Sequence, residues 1–299
     1  MFFVIGSDEE THSKYMYDTM QKKGYDVEYF DTRKYPKDIQ INFQPEINDG
    51  CFKINSRKIL FKDIQGFYWR WYYGVMSGKT DDDYVNNIIY RERLSALTSI
   101  FQSIKCNWVN SYTAIELHKS KSYQLNIMAQ NNIRIPKTLI TNDKEELIKF
   151  YETHNKNVIY KPVLGGALTE KLKETDLTSE NLNRLIVSPI QVQEYIDSTD
   201  IRVFASQDNV FAAEIRANTL DFRGDDSAEI IPVNLPKNIE NDCKKVLKCL
   251  SLTYSGIDIR RSNNGEYVFL EANPAPMFIH FEKKTGYPIT EMLINLLTK

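Results

Sequence analysis

Ile257-Asp258-Ile259-Arg260 and, beyond an Asn263-Asn264-Gly265 turn, Val268-Phe269-Leu270-Glu271-Ala272-Asn273-Pro274 form the stretch that decides the fold. Apolar runs flanking an Asn-Asn-Gly turn read as two antiparallel strands. Side chains alternate along a strand, so Asp258 and Arg260 share one face, and Glu271 and Asn273 share a face of the partner. Where those faces coincide, two carboxylates and an amide converge. Oxygen donors presented without cysteine or histidine suit Mg2+, which takes few protein ligands and fills its shell with water and phosphate oxygens. The set Asp258, Glu271 and Asn273 is therefore a candidate metal site that implies a nucleotide. A surface hairpin with polar ends is the plainer alternative.

Moving outward, two lysines stand where a phosphate would account for them. Lys121 opens a helix, and Lys161 ends the apolar strand Val158-Ile159-Tyr160, where an ammonium is costly unless it meets an anion. Gly165-Gly166 follows, and glycines there would let backbone N–H groups close over phosphates. Val192-Gln193-Glu194-Tyr195-Ile196-Asp197 is a strand running into a linker. Such a linker offers backbone groups to an adenine edge, and a carboxylate just after it can take ribose hydroxyls. Asp197 is the candidate, with Ser198 as its rival.

A second pattern pairs a carboxylate with an arginine two residues on, at Asp200/Arg202, Glu214/Arg216, Asp221/Arg223 and Asp258/Arg260. An arginine held by a carboxylate is aimed in advance, and its fork fits an incoming side-chain carboxylate. The same pairs would also serve as salt bridges on a solvated sheet.

The rest of the chain reads as alternating strands and helices. Phe2–Ile5 and Val27–Phe30 flank a polar helix ending near Gly24, a small α/β unit. Asn48-Asp49-Gly50 marks a hairpin, Ile59–Tyr73 reads as strand, and Asp81–Asp83 caps a long helix. In Phe67–Tyr73 the alternation predicts that Trp69 and Trp71 share one face while Arg70 and Tyr72 share the other. From Ile135 onward, strands are expected at 138–140, 158–162, 190–196, 201–205, 210–215, 257–260 and 267–271, with helices near 143–151 and 238–250 and a last one carrying Ile289, Met292, Leu293, Leu296 and Leu297.

Composition narrows the function classes. The 299 residues hold 38 basic and 40 acidic side chains, which argues against a broad nucleic-acid surface. No stretch approaches a membrane span, and the N-terminal apolar run lacks the positive flank of a signal peptide. Four scattered cysteines without Cys-x-x-Cys, and four scattered histidines, point to a reducing cytoplasm and away from zinc.

Lys121, Pro136, Lys161-Pro162, Gln193-Glu194-Tyr195-Ile196, Asp200-Ile201-Arg202, Asp258 and Glu271-Ala272-Asn273-Pro274 occur in the order of an ATP-grasp ligase, over residues 112–299. The chain resembles the ribosomal-protein glutamate-adding ligases and, more finely, the graspetide (microviridin-type) peptide synthetases. The finer likeness rests on Trp108–Ser111, Lys121–Leu125, Thr138–Asn142, Asp221-Phe222-Arg223, Thr285–Ile289 and the aromatic-arginine strand Phe67–Trp71. It departs from that family in Asn-Pro-Ala-Pro at 273–276, which lacks a Gly-Gln-type continuation, and in a short glycine loop.

The resemblance implies an α+β/α/β ATP-grasp fold. It would comprise an N-terminal α/β domain at 1–112, a central α+β subdomain at 113–196 and a C-terminal antiparallel subdomain at 197–299, with ATP between the last two. It implies ATP and Mg2+ as cofactors and a two-step ligation through an acyl phosphate, with ADP and phosphate released. Lys121, Lys161, Gly165, Gly166, Gln193, Glu194, Tyr195, Ile196 and Asp197 would bind ATP. Arg202 and Arg260 would bear on the transferring phosphate or the oxyanion. Asp200, Arg216, Asp221 and Arg223 would select an acidic acceptor. The implied partner is a precursor peptide, a leader plus an acidic core with Ser, Thr or Lys, crosslinked by ester or amide bonds; addition of an amino acid to a protein tail or a small molecule is the alternative. A homodimer is expected, with no nucleic-acid or membrane partner.

Overall fold

The computed structural model describes residues 1–164, 169–216 and 228–299. Contacts group the chain into two units: Met1–Glu116 with Leu252–Tyr254 and Pro274–Lys299, and Leu117–Ser251 with Ser255–Asn273.

The first unit begins with β1 (Phe2–Ile5), α1 (Thr11–Lys22) and β2 (Val27–Phe30). Every residue of β1 is buried, which explains its unbroken apolar run. The Glu10 carboxylate caps α1 by accepting from the Ser13 N–H at 2.6 Å. Met16 and Met20, one turn apart, face the sheet, and the chain leaves the helix at Gly24, whose φ of +85° suits glycine. Then come β3 (Ile39–Gln44), β4 (Asp49–Ile54), β5 (Arg57–Leu60), β6 (Gly66–Trp69), α2 (Asp83–Ser103), β7 (Asn107–Val109) and α3 (Tyr112–Lys119). A parallel sheet has the order β2-β1-β6-β7, and an antiparallel one the order β3-β4-β5. The single strand expected over 59–73 is thus two, in different sheets, with Phe61–Asp63 turning between them. Beyond β6 the alternation fails. Trp69 and Arg70 are both buried and Trp71 is exposed, because the strand ends at Trp69.

The second unit runs through α4 (Lys121–Gln130), β8 (Thr138–Thr141), α5 (Lys144–Thr153), β9 (Val158–Lys161), β10 (Glu170–Lys171), α6 (Ser179–Asn183), β11 (Ile190–Glu194), β12 (Ser198–Ser206), β13 (Val210–Arg216), β14 (Glu229–Val233), α7 (Lys237–Cys249), β15 (Tyr254–Ser262) and β16 (Tyr267–Asn273). Two sheets result, ordered β10-β9-β11-β8 and β14-β13-β12-β15-β16. The Asn-Asn-Gly turn joins β15 to β16, with Gly265 at φ +87°. The strand β14 had no sequence signal of its own because Pro232 interrupts it; proline suits an edge, which β14 is among the described residues.

The chain ends with α8 (Ile279–Thr285) and α9 (Ile289–Thr298), back in the first unit, where the Leu297 carbonyl accepts from Asn107 Nδ2 at 3.0 Å. Asn110 is wholly buried there. Its amide donates to the Tyr254 and Pro274 carbonyls, each at 2.7 Å, and accepts from the Thr253 N–H at 2.7 Å. Among the described residues no helix is long and apolar enough to cross a membrane.

Candidate active site

The expected hairpin is present, and Asp258 lies directly opposite Glu271. The register slips at the next residue, so Ile259 opposes Phe269 and Leu270 is the extra residue of a β-bulge. In a regular strand Phe269 and Glu271 would share a face. The bulge lets Phe269 enter the core, 1% exposed, while Glu271 stays beside Asp258.

Each carboxylate already has a cation. Lys121 Nζ, from the first residue of α4, donates to Glu271 Oε2 at 2.8 Å, and the Arg202 guanidinium of β12 donates to Asp258 Oδ1. Burial, with the Glu271 carboxylate beside it, pushes the Asp258 carboxyl above its usual range against the pull of Arg202. Burial would raise Glu271 as well, but Lys121, His118 and Lys161 together hold it below its usual range. Lys161, expected from sequence to meet an anion, thus acts on Glu271. Two carboxylates stand side by side, one pushed toward its neutral form by burial and by the other, and a divalent cation bound between them would draw both into the ionised form. With Asn273 two residues along β16, the donor set is all oxygen and fits Mg2+. Among the described residues no cluster of three or more His, Cys, Asp or Glu could hold a metal.

The carboxylate–arginine pairs are rearranged. Asp200/Arg202 and Asp258/Arg260 do not pair along their own strands. They exchange partners across β12 and β15, with Arg202 on Asp258 and Arg260 Nε on Asp200 Oδ1 at 2.8 Å. Arg260 also donates to the Ile196 carbonyl at 3.1 Å and lies 5.8 Å from the Tyr195 ring centre, so it ties the linker to the carboxylate face. Glu214 and Arg216 do pair along β13, at 2.9 Å, and Arg261, which sequence reasoning passed over, joins them on the other Glu214 oxygen at 2.9 Å. Glu214 opposes Ile201, while Arg202 opposes Ala213. By alternation, Glu214, Arg216 and Arg261 therefore occupy the opposite face of the sheet from Arg202, Asp258 and Glu271. The structure does not bring Arg216 to the carboxylates.

The strand and linker at 193–197 are also built. Gln193 donates to Thr138 Oγ1 at 2.9 Å, and Glu194 Oε1 accepts from the Lys137 N–H at 2.7 Å and from Arg134 at 2.9 Å. The Tyr195 N–H donates to the Asn157 carbonyl at 2.9 Å, and its ring lies 3.9 Å beneath the Lys171 ammonium. Asp197 is exposed and accepts from Asn263 at 3.2 Å. The expected Gly165, Gly166, Asp221 and Arg223 lie outside the described residues.

Two further residues lie beside the carboxylates: His118, which the sequence did not single out, and Gln124, which it placed in the Lys121–Leu125 motif without a role of its own. His118 lies at the end of α3; burial and Lys121 push its imidazole below its usual pKa, and its buried Nδ1 has no hydrogen-bond partner among the described residues. Gln124, one turn after Lys121, is 1% exposed and bonds to Ala272. The bonds of Gln124 depend on a strand 148 residues away, which no local motif encodes.

Residues 118–297 match the family model described as a RimK-like ATP-grasp domain. The chain is 24% identical over 259 residues to the alpha-aminoadipate–LysW ligase LysX of Sulfolobus acidocaldarius, covering 81% of this chain and 94% of the relative. It superposes on the ATP-grasp ligase PsnB, solved with a phosphomimetic variant of minimal precursor, Mg and ADP, with a TM-score of 0.85 and 25% identity over 99% of this chain and 98% of that one. It superposes equally, TM-score 0.85, on the macrocyclase MdnC of Microcystis aeruginosa MRC bound with precursor peptide MdnA, at 22% identity over 100% and 99% of the two chains.

Proposed function

The chain belongs to the RimK-like ATP-grasp family, and from that premise we propose that it is an ATP-dependent carboxylate ligase that crosslinks side chains of a ribosomal precursor peptide. The observation that carries the reading is the registered Asp258–Glu271 pair, met by Arg202, Lys121 and Lys161. The likeness to PsnB and MdnC, solved with their precursors, supports a peptide as the substrate.

In this reading Asp258, Glu271 and Asn273 hold Mg2+, which would neutralise charge on the ATP phosphates. Lys121 and Lys161 contribute positive charge at the same carboxylate, and Gly165 and Gly166 remain candidates for binding the phosphates. The linker from Gln193 to Ile196 reads the adenine edge, and Asp197 takes the ribose. Arg202 bears on the phosphoryl group moving to the acceptor carboxylate. Arg260 holds the linker through Ile196 and sets the same face through Asp200. A hydroxyl or amine of the peptide then attacks the acyl phosphate, and catalysis rests on placement and charge neutralisation. Asp221 and Arg223 are the candidates for recognising the acidic acceptor, and Arg216 serves the opposite face.

The enzyme acts in the cytoplasm as a homodimer. The apolar side chains that α2 exposes, Tyr84 at 75% and Ile88 at 42%, support a subunit contact. Amino-acid addition to a protein is the second reading, favoured by the similarity to LysX.

The test is mass spectrometry with ATP, Mg2+ and a short peptide rich in Asp or Glu and Thr, Ser or Lys encoded beside the enzyme's gene. Each link should remove one water from the peptide, with one ATP converted to ADP and phosphate. AMP and pyrophosphate as products would overturn the acyl-phosphate route. A mass gain of one amino-acid residue would move the assignment to the second reading.

A further inference from the structure

Among the described residues β16 is an edge of the five-stranded sheet, with β15 on one side only. An edge strand presents alternate N–H and C=O groups with no strand to pair them, and buried ones need other partners. At Ala272 the partner is a single side chain. Gln124 Nε2 donates to the Ala272 carbonyl at 2.8 Å, and the Ala272 N–H donates to Gln124 Oε1 at 2.9 Å. The Gln124 amide therefore does what the next strand would do at this residue. Both groups are buried, Gln124 at 1% and Ala272 at 0% exposure, so water cannot substitute for either bond. Three residues before Ala272, the Phe269 N–H donates to the Arg134 carbonyl at 2.8 Å, so the same edge is held at two points.

The place of this clamp matters more than its strength. Ala272 separates Glu271 from Asn273, two of the three proposed metal donors. Gln124 stands one helical turn from Lys121, whose ammonium meets Glu271. One face of α4 thus holds both the carboxylate and the backbone between the donors. The bulge at Leu270, just before Glu271, leaves this strand end with less help from its own ladder.

We infer that Gln124 is a positioning residue of the metal site: it fixes the Glu271–Asn273 peptide so that both oxygens face one cation. The inference rests on the nucleotide-and-Mg2+ reading above. It assigns Gln124 no contact with substrate. Removing a group that orients metal ligands characteristically costs 10- to 100-fold in metal affinity.

The experiment measures ADP binding by calorimetry, with and without Mg2+, for the full chain and two variants. Gln124→Met matches the volume and removes both bonds; Gln124→Glu retains the acceptor for the Ala272 N–H and loses the donor. The wild-type chain should bind ADP more tightly with Mg2+. Gln124→Met should reduce that Mg2+-dependent gain about 10-fold or more and raise the Mg2+ concentration for half-maximal binding, with Mg2+-free ADP affinity unchanged. Gln124→Glu should fall between, and it carries the test if Gln124→Met does not fold. Equal loss of ADP affinity with and without Mg2+ would indicate a merely structural role and overturn the inference, as would an unchanged Mg2+ gain in either folded variant. A wild-type chain that binds ADP with no Mg2+ dependence would overturn the metal reading itself, and the inference with it.

Discussion

At the scale of single residues, Glu271 and Arg260 separate two kinds of contribution. Glu271→Gln is nearly isosteric and keeps an oxygen for Lys121 while removing one negative charge from the proposed cation. We expect a fold indistinguishable by circular dichroism and a ligation rate lower by about 10² to 10³. A parent-like rate would remove Glu271 from the metal site. Arg260 is different, because its guanidinium holds Asp200 and the Ile196 carbonyl. Arg260→Lys loses the two-pronged grip. It should raise the KM for ATP more than it lowers kcat, since the linker moves and the carboxylates do not; a kcat effect with unchanged KM would place Arg260 on the reacting phosphate instead. The carboxylates were legible in the sequence because a charge inside an apolar strand demands a reason. The pairing of Arg202 with Asp258, not with its own-strand neighbour, was not. It depends on β12 lying next to β15, which no local pattern encodes. Arg261 and Gln124 escaped for the same reason: their partners are 47 and 148 residues away.

At the scale of elements, the entry to α1 carries a measurable pH dependence. Glu10 caps the helix and pairs with the buried Arg70 at 3.1 Å, and His12 sits beside them. Burial, and then Arg70, press the His12 imidazole down to about 4. The folded pKa lies below the unfolded value of 6.5, so the unfolded chain binds the extra proton between those values. Stability should therefore be intact above pH 6.5 and fall toward pH 4, by on the order of 3 kcal/mol from this group. Burial also works on Glu10, but Arg70 and the Ser13 hydrogen bonds outweigh it and lower its pKa, so its contribution is lost on further acidification. Urea midpoints measured from pH 7.5 to 4.5 should decline, and the decline should be shallower in His12→Gln; parallel curves would mean that His12 does not titrate in the unfolding equilibrium. Elements with a period or a cap were read correctly from the sequence, such as the long helix behind Asp82. The strand over 59–73 was read as one because its apolar run is unbroken, although Phe61–Asp63 folds it into two sheets. β14 was missed because Pro232 reads as a break, and its edge position among the described residues makes it admissible.

At the scale of the whole molecule, the homodimer expected from the resemblance would use the apolar side chains that α2 exposes. Light scattering at micromolar concentration should give twice the 34.9 kDa chain mass, and Ile88→Lys should return it to one; a monomer at the outset would remove α2 from consideration. The family and fold were legible in the order of short motifs. The grouping of Pro274–Lys299 with the first unit was not, since it depends on contacts such as Asn107 to Leu297. One feature limits how two copies could meet. Among the described residues the five-stranded sheet ends on β14, which carries Pro232, and on β16, where Gln124 and Arg134 occupy backbone groups of Ala272 and Phe269. A sheet closed in this way is a poor template for a foreign strand. Self-association by strand addition, the usual route from a folded sheet to a fibril, is disfavoured at both of these strands, and concentrated protein should pair through side chains or stay apart.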